Sequence, residues 1–109
     1  MNKMDCIIMI GDIIVKLDTL RASLPAGSPW RKKMDDIRRL LNEKQIELAK
    51  LVFDEGTTAY QAATGQLTVI TGNIKVCIDD VDETAQTFSL LEKLVTSINS
   101  LFSLAKGCA

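Results

Sequence analysis

The chain has no histidine among its 109 residues. That removes the side chain most often used as a general acid or base, the usual partner of a serine or cysteine nucleophile, and the commonest zinc ligand. Aromatic residues amount to 5%, with one tryptophan and one tyrosine. Net charge is -1. Few aromatics and no positive excess argue against nucleic acid as a partner. Cys6, Cys77 and Cys108 are odd in number and far apart, and no C-x-x-C pair occurs. A disulfide framework is not expected, and a reducing, cytoplasmic compartment is the simpler reading; one bridge with one free thiol stays open.

Other motifs are missing too. Gly65 and Gly72 are isolated and no Lys-Ser or Lys-Thr follows them, so no phosphate-binding loop is present. No apolar run approaches the roughly 18 residues of a membrane span. The apolar start at Met1–Ile10 is short and bracketed by Asp5 and Asp12, and no small-residue cleavage site follows, which argues against a signal peptide. Asp79, Asp80, Asp82 and Glu83 gather acidic oxygens but lack the alternating ligands and central glycine of a calcium loop, so they read as a capped, solvated helix turn. No catalytic residue, cofactor site or metal site is assigned, and an enzyme is not expected.

What is present is patterning. Hydrophobic residues make up 47% and charged residues 25%, ordinary values for one globular domain spanning 1–109. From Tyr60 to Ala105, apolar residues recur at steps of three and four: Tyr60, Ala63, Leu67, Ile70, Ile74, Cys77, Val81, Thr84, Phe88, Leu91, Val95, Ile98, Phe102 and Ala105. Thr84 is the polar exception. Such a seam requires a helical partner, and a charge placed at Val81 is expected to be strongly destabilising.

Upstream, Ile7, Ile10, Ile14 and Leu17 form the inner stripe of a helix expected over Asp5–Leu24, in which Gly11 suggests close approach of another backbone. Leu24-Pro25-Ala26-Gly27-Ser28-Pro29 is a break, with Ser28 as N-cap and Pro29 at the first helical position. A second helix then runs from Pro29 to about Asp54. Trp30, Met34, Ile37, Leu41, Leu48 and Leu51 form its buried face, interrupted at Lys44.

The fold class is therefore all-α: an antiparallel bundle of three or four helices with a long C-terminal heptad seam. The alternative is α+β with a hairpin at about 66–79, where Leu67–Thr71, Gly72-Asn73 and Ile74–Ile78 also read as two strands and a turn. A turn near Asp79, with Asp80-Val81-Asp82-Glu83 as a capping pattern, gives four helices; without it the long helix implies self-association.

Two likenesses are too slight to assign a family. Trp30-Arg31-Lys32 stands where small secreted helical-hairpin proteins carry W-x-G, and that motif is absent. Lys75–Asp82 resembles the carboxy-terminal helix of type III secretion needle subunits over a short stretch.

The expected function is non-catalytic protein binding. Small bacterial immunity proteins, antitoxins and secretion chaperones share this size and make-up, an analogy at the level of class. The expected contact surface is Trp30, Arg31, Lys32, Arg38 and Arg39, positive charge around one large aromatic, suited to an acidic protein. Leu90, Leu94, Leu101 and Leu104 widen the last apolar helix and point to a homodimer. A self-assembling structural or membrane-active helical protein is the rival reading.

Overall fold

A computed structural model, which describes residues 1–108, shows four α-helices: α1 (Lys3–Ser23), α2 (Pro29–Lys50), α3 (Thr58–Cys77) and α4 (Thr84–Phe102). Each start has a local chemical cause. At α1 the Asn2 side chain accepts from the Asp5 amide at 2.8 Å and the Asp5 carboxylate accepts from the Asn2 amide at 3.1 Å, a reciprocal capping box. Ser28 accepts from the Trp30 amide and Thr57 from the Tyr60 amide, both at 3.2 Å. Between α3 and α4 a single 3₁₀ turn, Val81–Glu83, is held by the Asp80 carboxylate accepting from the Asp82 amide at 2.9 Å. The acidic cluster thus begins a helix.

The hairpin alternative at 66–79 is overturned: α3 runs unbroken across both expected strands as far as Cys77. The break near Asp79 is present, so the bundle has four helices. Helix α2 ends at Lys50, short of Asp54, because Leu51–Val52 turns extended as β1 and pairs antiparallel with β2 (Gly107–Cys108), Leu51 opposite Cys108.

The chain folds as two helical hairpins. Helix α1 packs chiefly on α2, and α3 on α4; α2–α4 and α1–α3 contacts join them, leaving α2 and α3 at diagonal corners. The start of α1, the end of α2 and the α2–α3 connection meet at one end. There Lys3 Nζ donates to the Ala49 and Leu51 carbonyls at 3.1 and 2.9 Å, and the Lys3 amide donates to Glu55 at 2.7 Å.

The core is aliphatic. Ile10, Ile13, Leu41, Leu48, Leu67, Ile74, Leu91, Leu94, Ile98 and Leu101 are wholly buried. Two details of the seam differ from the sequence reading. Val81 is 46% exposed, because the 3₁₀ turn takes it off the helical face. On α3, Thr64 and Thr71 are buried while Ala63 and Ile70 are half-buried, since α3 packs against α1 as well as α4 and buries both flanks of the Tyr60–Leu67–Ile74 line. The two hydroxyls donate to the Gln61 and Thr68 carbonyls at 3.2 and 3.1 Å, which lets threonine stand in the core.

Gly11 faces a side chain rather than a backbone. Gln45 Nε2 donates to the Ile7 carbonyl at 2.9 Å and lies 3.0 Å from where a Cβ on Gly11 would stand. The width of α4 is also accounted for within one chain: Leu90, Leu94 and Leu101 are buried by its own helices, and Leu104 is 37% exposed.

Three substitutions separate these statements in chemical denaturation. Leu94→Ala should cost about 2–5 kcal/mol through the cavity it leaves, whereas Val81→Asp should change stability by about 0.5 kcal/mol or less. Gly72→Ala, with nothing within 4 Å of the added methyl, should stabilise by about 0.5–1 kcal/mol through helix propensity. A costly Val81→Asp would restore the unbroken seam.

Candidate functional site

The half-buried apolar side chains on α2 and α4 gather along the line where these two helices meet. Trp30 and Leu40 contribute from α2; Phe88, Val95 and Phe102 contribute from α4. Part of this line opens into a groove of about 390 Å³ with Ile37, Leu40, Phe88 and Val95 as its apolar floor and Lys33, Asp36 and Glu92 among its walls. The groove exists because each hairpin is tighter than the junction between them.

Aromatic rings mark both ends. The Trp30 and Phe88 rings lie 5.5 Å apart at 57°, and Lys33 Nζ sits 4.7 Å from the Trp30 ring centroid and 5.6 Å from that of Phe88. At the other end Lys44 Nζ lies 5.5 Å from the Phe102 centroid, which is why a lysine interrupts the apolar face of α2. Each ammonium covers a ring that water would otherwise touch. A cation over a ring at an exposed site is worth about 0.5–1 kcal/mol, the same range as an exposed ion pair. Either lysine is therefore free to meet a partner's carboxylate at little cost.

The basic cluster is placed differently from the expected patch. Arg38 pairs with Asp18 of α1, and Arg21 of α1 pairs with Asp35. Lys32 and Arg39 share Asp36, each at 3.2 Å, and Arg31 Nε donates to the Leu24 carbonyl at 3.0 Å. Hydrogen bonding to Arg21 holds the Asp35 carboxyl below its ordinary range, and Asp18 raises Arg38 in the same way. Arg31 and Arg38 thus bind α1 and its following loop, Lys32 and Arg39 hold a carboxylate on their own helix, and Trp30 packs toward α4. The five residues Trp30, Arg31, Lys32, Arg38 and Arg39 are not gathered on one face. Sequence reading missed Lys33 and Lys44 as partners of the rings; their offset of three helical turns on α2 was the signal.

A second cluster lies at the opposite end of the bundle. Cys6 and Tyr60 are buried together, and the Tyr60 hydroxyl donates to Glu55 at 3.5 Å. Burial pushes the Tyr60 phenol well above its ordinary value of 10.0, helped by the negative charges that Cys6 and Glu55 can carry. Burial also raises the Cys6 thiol above 9.0, which keeps it in the unreactive form. Cys77 is buried with Sγ 3.2 Å from Thr87 Oγ1, and Cys108 is exposed. Among the described residues no group of three or more cysteines and carboxylates converges as a metal site, and no helix is long and apolar enough to cross a membrane.

The fold places the chain in the class of four-helix bundles. Comparison with protein-family profiles, with curated proteins and with solved structures yields no match.

The Tyr60 pocket gives a pH prediction. A group whose proton is held more tightly in the folded state contributes stability that is complete below its unfolded value and lost as pH rises toward the folded one. Unfolding free energy should fall above about pH 9–10 as Cys6 and then Tyr60 ionise in the unfolded chain, and Tyr60→Phe should flatten the later part of that fall. An unchanged slope in Tyr60→Phe would assign the loss to other groups.

Proposed function

We propose that this chain is a non-catalytic protein-binding module, of the kind represented by small immunity, antitoxin or chaperone-like proteins, and that it takes its partner along the α2–α4 junction. The observation that carries the reading is the concentration of half-buried rings and aliphatic chains, Trp30, Leu40, Phe88, Val95 and Phe102, on one seam of the surface. Contact area that is already formed, apolar and edged by charge suits a helix laid into a groove. Of the residues expected from sequence, Trp30 keeps its place as an aromatic anchor. Arg31 and Arg38 hold α1 and its following loop, and Lys32 and Arg39 hold Asp36 on α2 itself.

A homodimer is the second reading, favoured by a specific feature of α3. Its outer face, with Ala62, Gly65, Val69, Gly72 and Val76, carries no charge, and Val69 and Val76 are 63% and 86% exposed. An uncharged, small-residue helix face permits close approach of a second copy.

Capture of partners on the immobilised chain, followed by calorimetry with the purified partner, tests the first reading. Leu40→Glu combined with Val95→Glu should weaken binding at least about tenfold, equivalent to 1.4 kcal/mol, while circular dichroism shows a retained helical fold. Full affinity in this double variant would move the site elsewhere. Sedimentation tests the second reading: Val69→Lys should convert any dimer to the 12.0 kDa monomer, and a wild-type chain that sediments as a monomer at high micromolar concentration would remove it.

A further inference from the structure

Resting on the protein-binding reading, we infer that the α2–α4 line, the groove with its continuation to Phe102, is charge-coded for an amphipathic α-helix of a partner protein, with an acidic, a basic and an acidic side chain in that order. Four ion pairs tie α2 internally and to α1: Arg21–Asp35, Lys32–Asp36, Arg38–Asp18 and Arg39–Asp36. None of the described pairs includes Lys33, Lys44 or Glu92. Lys33 and Glu92 are the charges left over on the groove, and Lys44 stands beyond it on the same α2–α4 line, over Phe102.

Their order along the groove follows from the fold. The two helices run parallel, since both begin at the end where the Pro25 and Val81 turns meet. Lys33 lies over Phe88; Glu92 follows Phe88 by one turn of α4; Lys44 lies over Phe102 at the far end. The α2–α4 line, from the groove to Phe102, therefore reads positive, negative, positive. Lys33 and Lys44 are eleven residues apart, about 16.5 Å at 1.5 Å per residue. A partner helix laid along this line parallel to α2 and α4 meets them with side chains at its positions i, about i+4 and i+11.

Asp36 also lines the groove, but both of its cations, Lys32 and Arg39, are on its own helix and already satisfy it. Glu43 and Glu47 are exposed beside Lys44 on α2, so the Lys44 end discriminates less than the Lys33 end. An apolar floor with charges at its edge gives the orientation and register that an unmarked groove lacks.

The test uses two synthetic helical peptides of about 18 residues, five turns, free of tryptophan and with leucines spaced to fill the groove. One carries Glu, Lys and Glu at i, i+4 and i+11; the other carries Lys, Glu and Lys. Trp30 is the chain's one tryptophan and reports binding by fluorescence, since its ring lies against Phe88 and Lys33 of the groove. The Glu-Lys-Glu peptide should bind at least about tenfold more tightly. The preference should reverse in the triple variant Lys33→Glu, Glu92→Lys, Lys44→Glu, whose unchanged circular dichroism confirms the fold. Equal affinities, an unreversed preference, or no binding of either peptide up to about 1 mM would overturn the charge code. If a captured protein partner still depends on Leu40 and Val95 in that event, the protein-binding reading stands without it. Charge-selective peptide binding by a chain that captures no protein would support the code and overturn that reading alone.

Discussion

Burial of aliphatic stripes from two helical hairpins against each other is the constraint from which the other features of the molecule follow. Each fully buried leucine or isoleucine contributes about 1.5–3 kcal/mol against its exposed state, and all four helices supply several. Those gains have to exceed the conformational entropy of ordering the chain, so the arrangement that hides the most branched side chains wins over the local preferences of any one segment. The stretch from Leu67 to Ile78 illustrates this. By itself it reads as strand, turn and strand; within the bundle it forms the second half of α3 and its C-cap Ile78, with Leu67 and Ile74 wholly buried.

The same constraint decides what remains on the surface. A hairpin with a short connection brings its two helices close, and the ion pairs from Asp18 to Arg38 and Arg21 to Asp35 lie across α1 and α2 in this way. Such exposed pairs add little stability, yet they fix how the helices face each other. The junction between the hairpins has no such cross-links in α2–α4. There the gap is covered by Lys33 and Lys44 resting on aromatic rings, which ties neither helix to the other by an ion pair. Function is proposed at this junction for that reason.

Much of the fold was legible in sequence because caps and periodicity are local. Ser28-Pro29 marked the start of α2, and Asp80 marked the turn before α4. The seam through Val81 failed because a three-residue 3₁₀ turn changes the phase by an amount that spacing alone does not register. Thr64 and Thr71 were passed over because a buried threonine requires knowledge of where its hydroxyl donates, and the Gln61 and Thr68 carbonyls lie within its own helix. The β1–β2 pair, joining Leu51–Val52 to Gly107–Cys108, has no periodic signal at such length. For the site, the sequence showed a basic cluster around Trp30; which cations were already paired depended on α1, a long-range contact.

Chemical-shift mapping of the isotope-labelled chain during titration with its captured partner tests whether the α2–α4 junction is where the partner binds. The largest changes should fall along one line, at Lys33, Leu40, Phe88 and Val95, while the outer face of α3 around Val69 and Val76 stays still. Changes concentrated on α1 and α3, with the α2–α4 line unmoved, would contradict it.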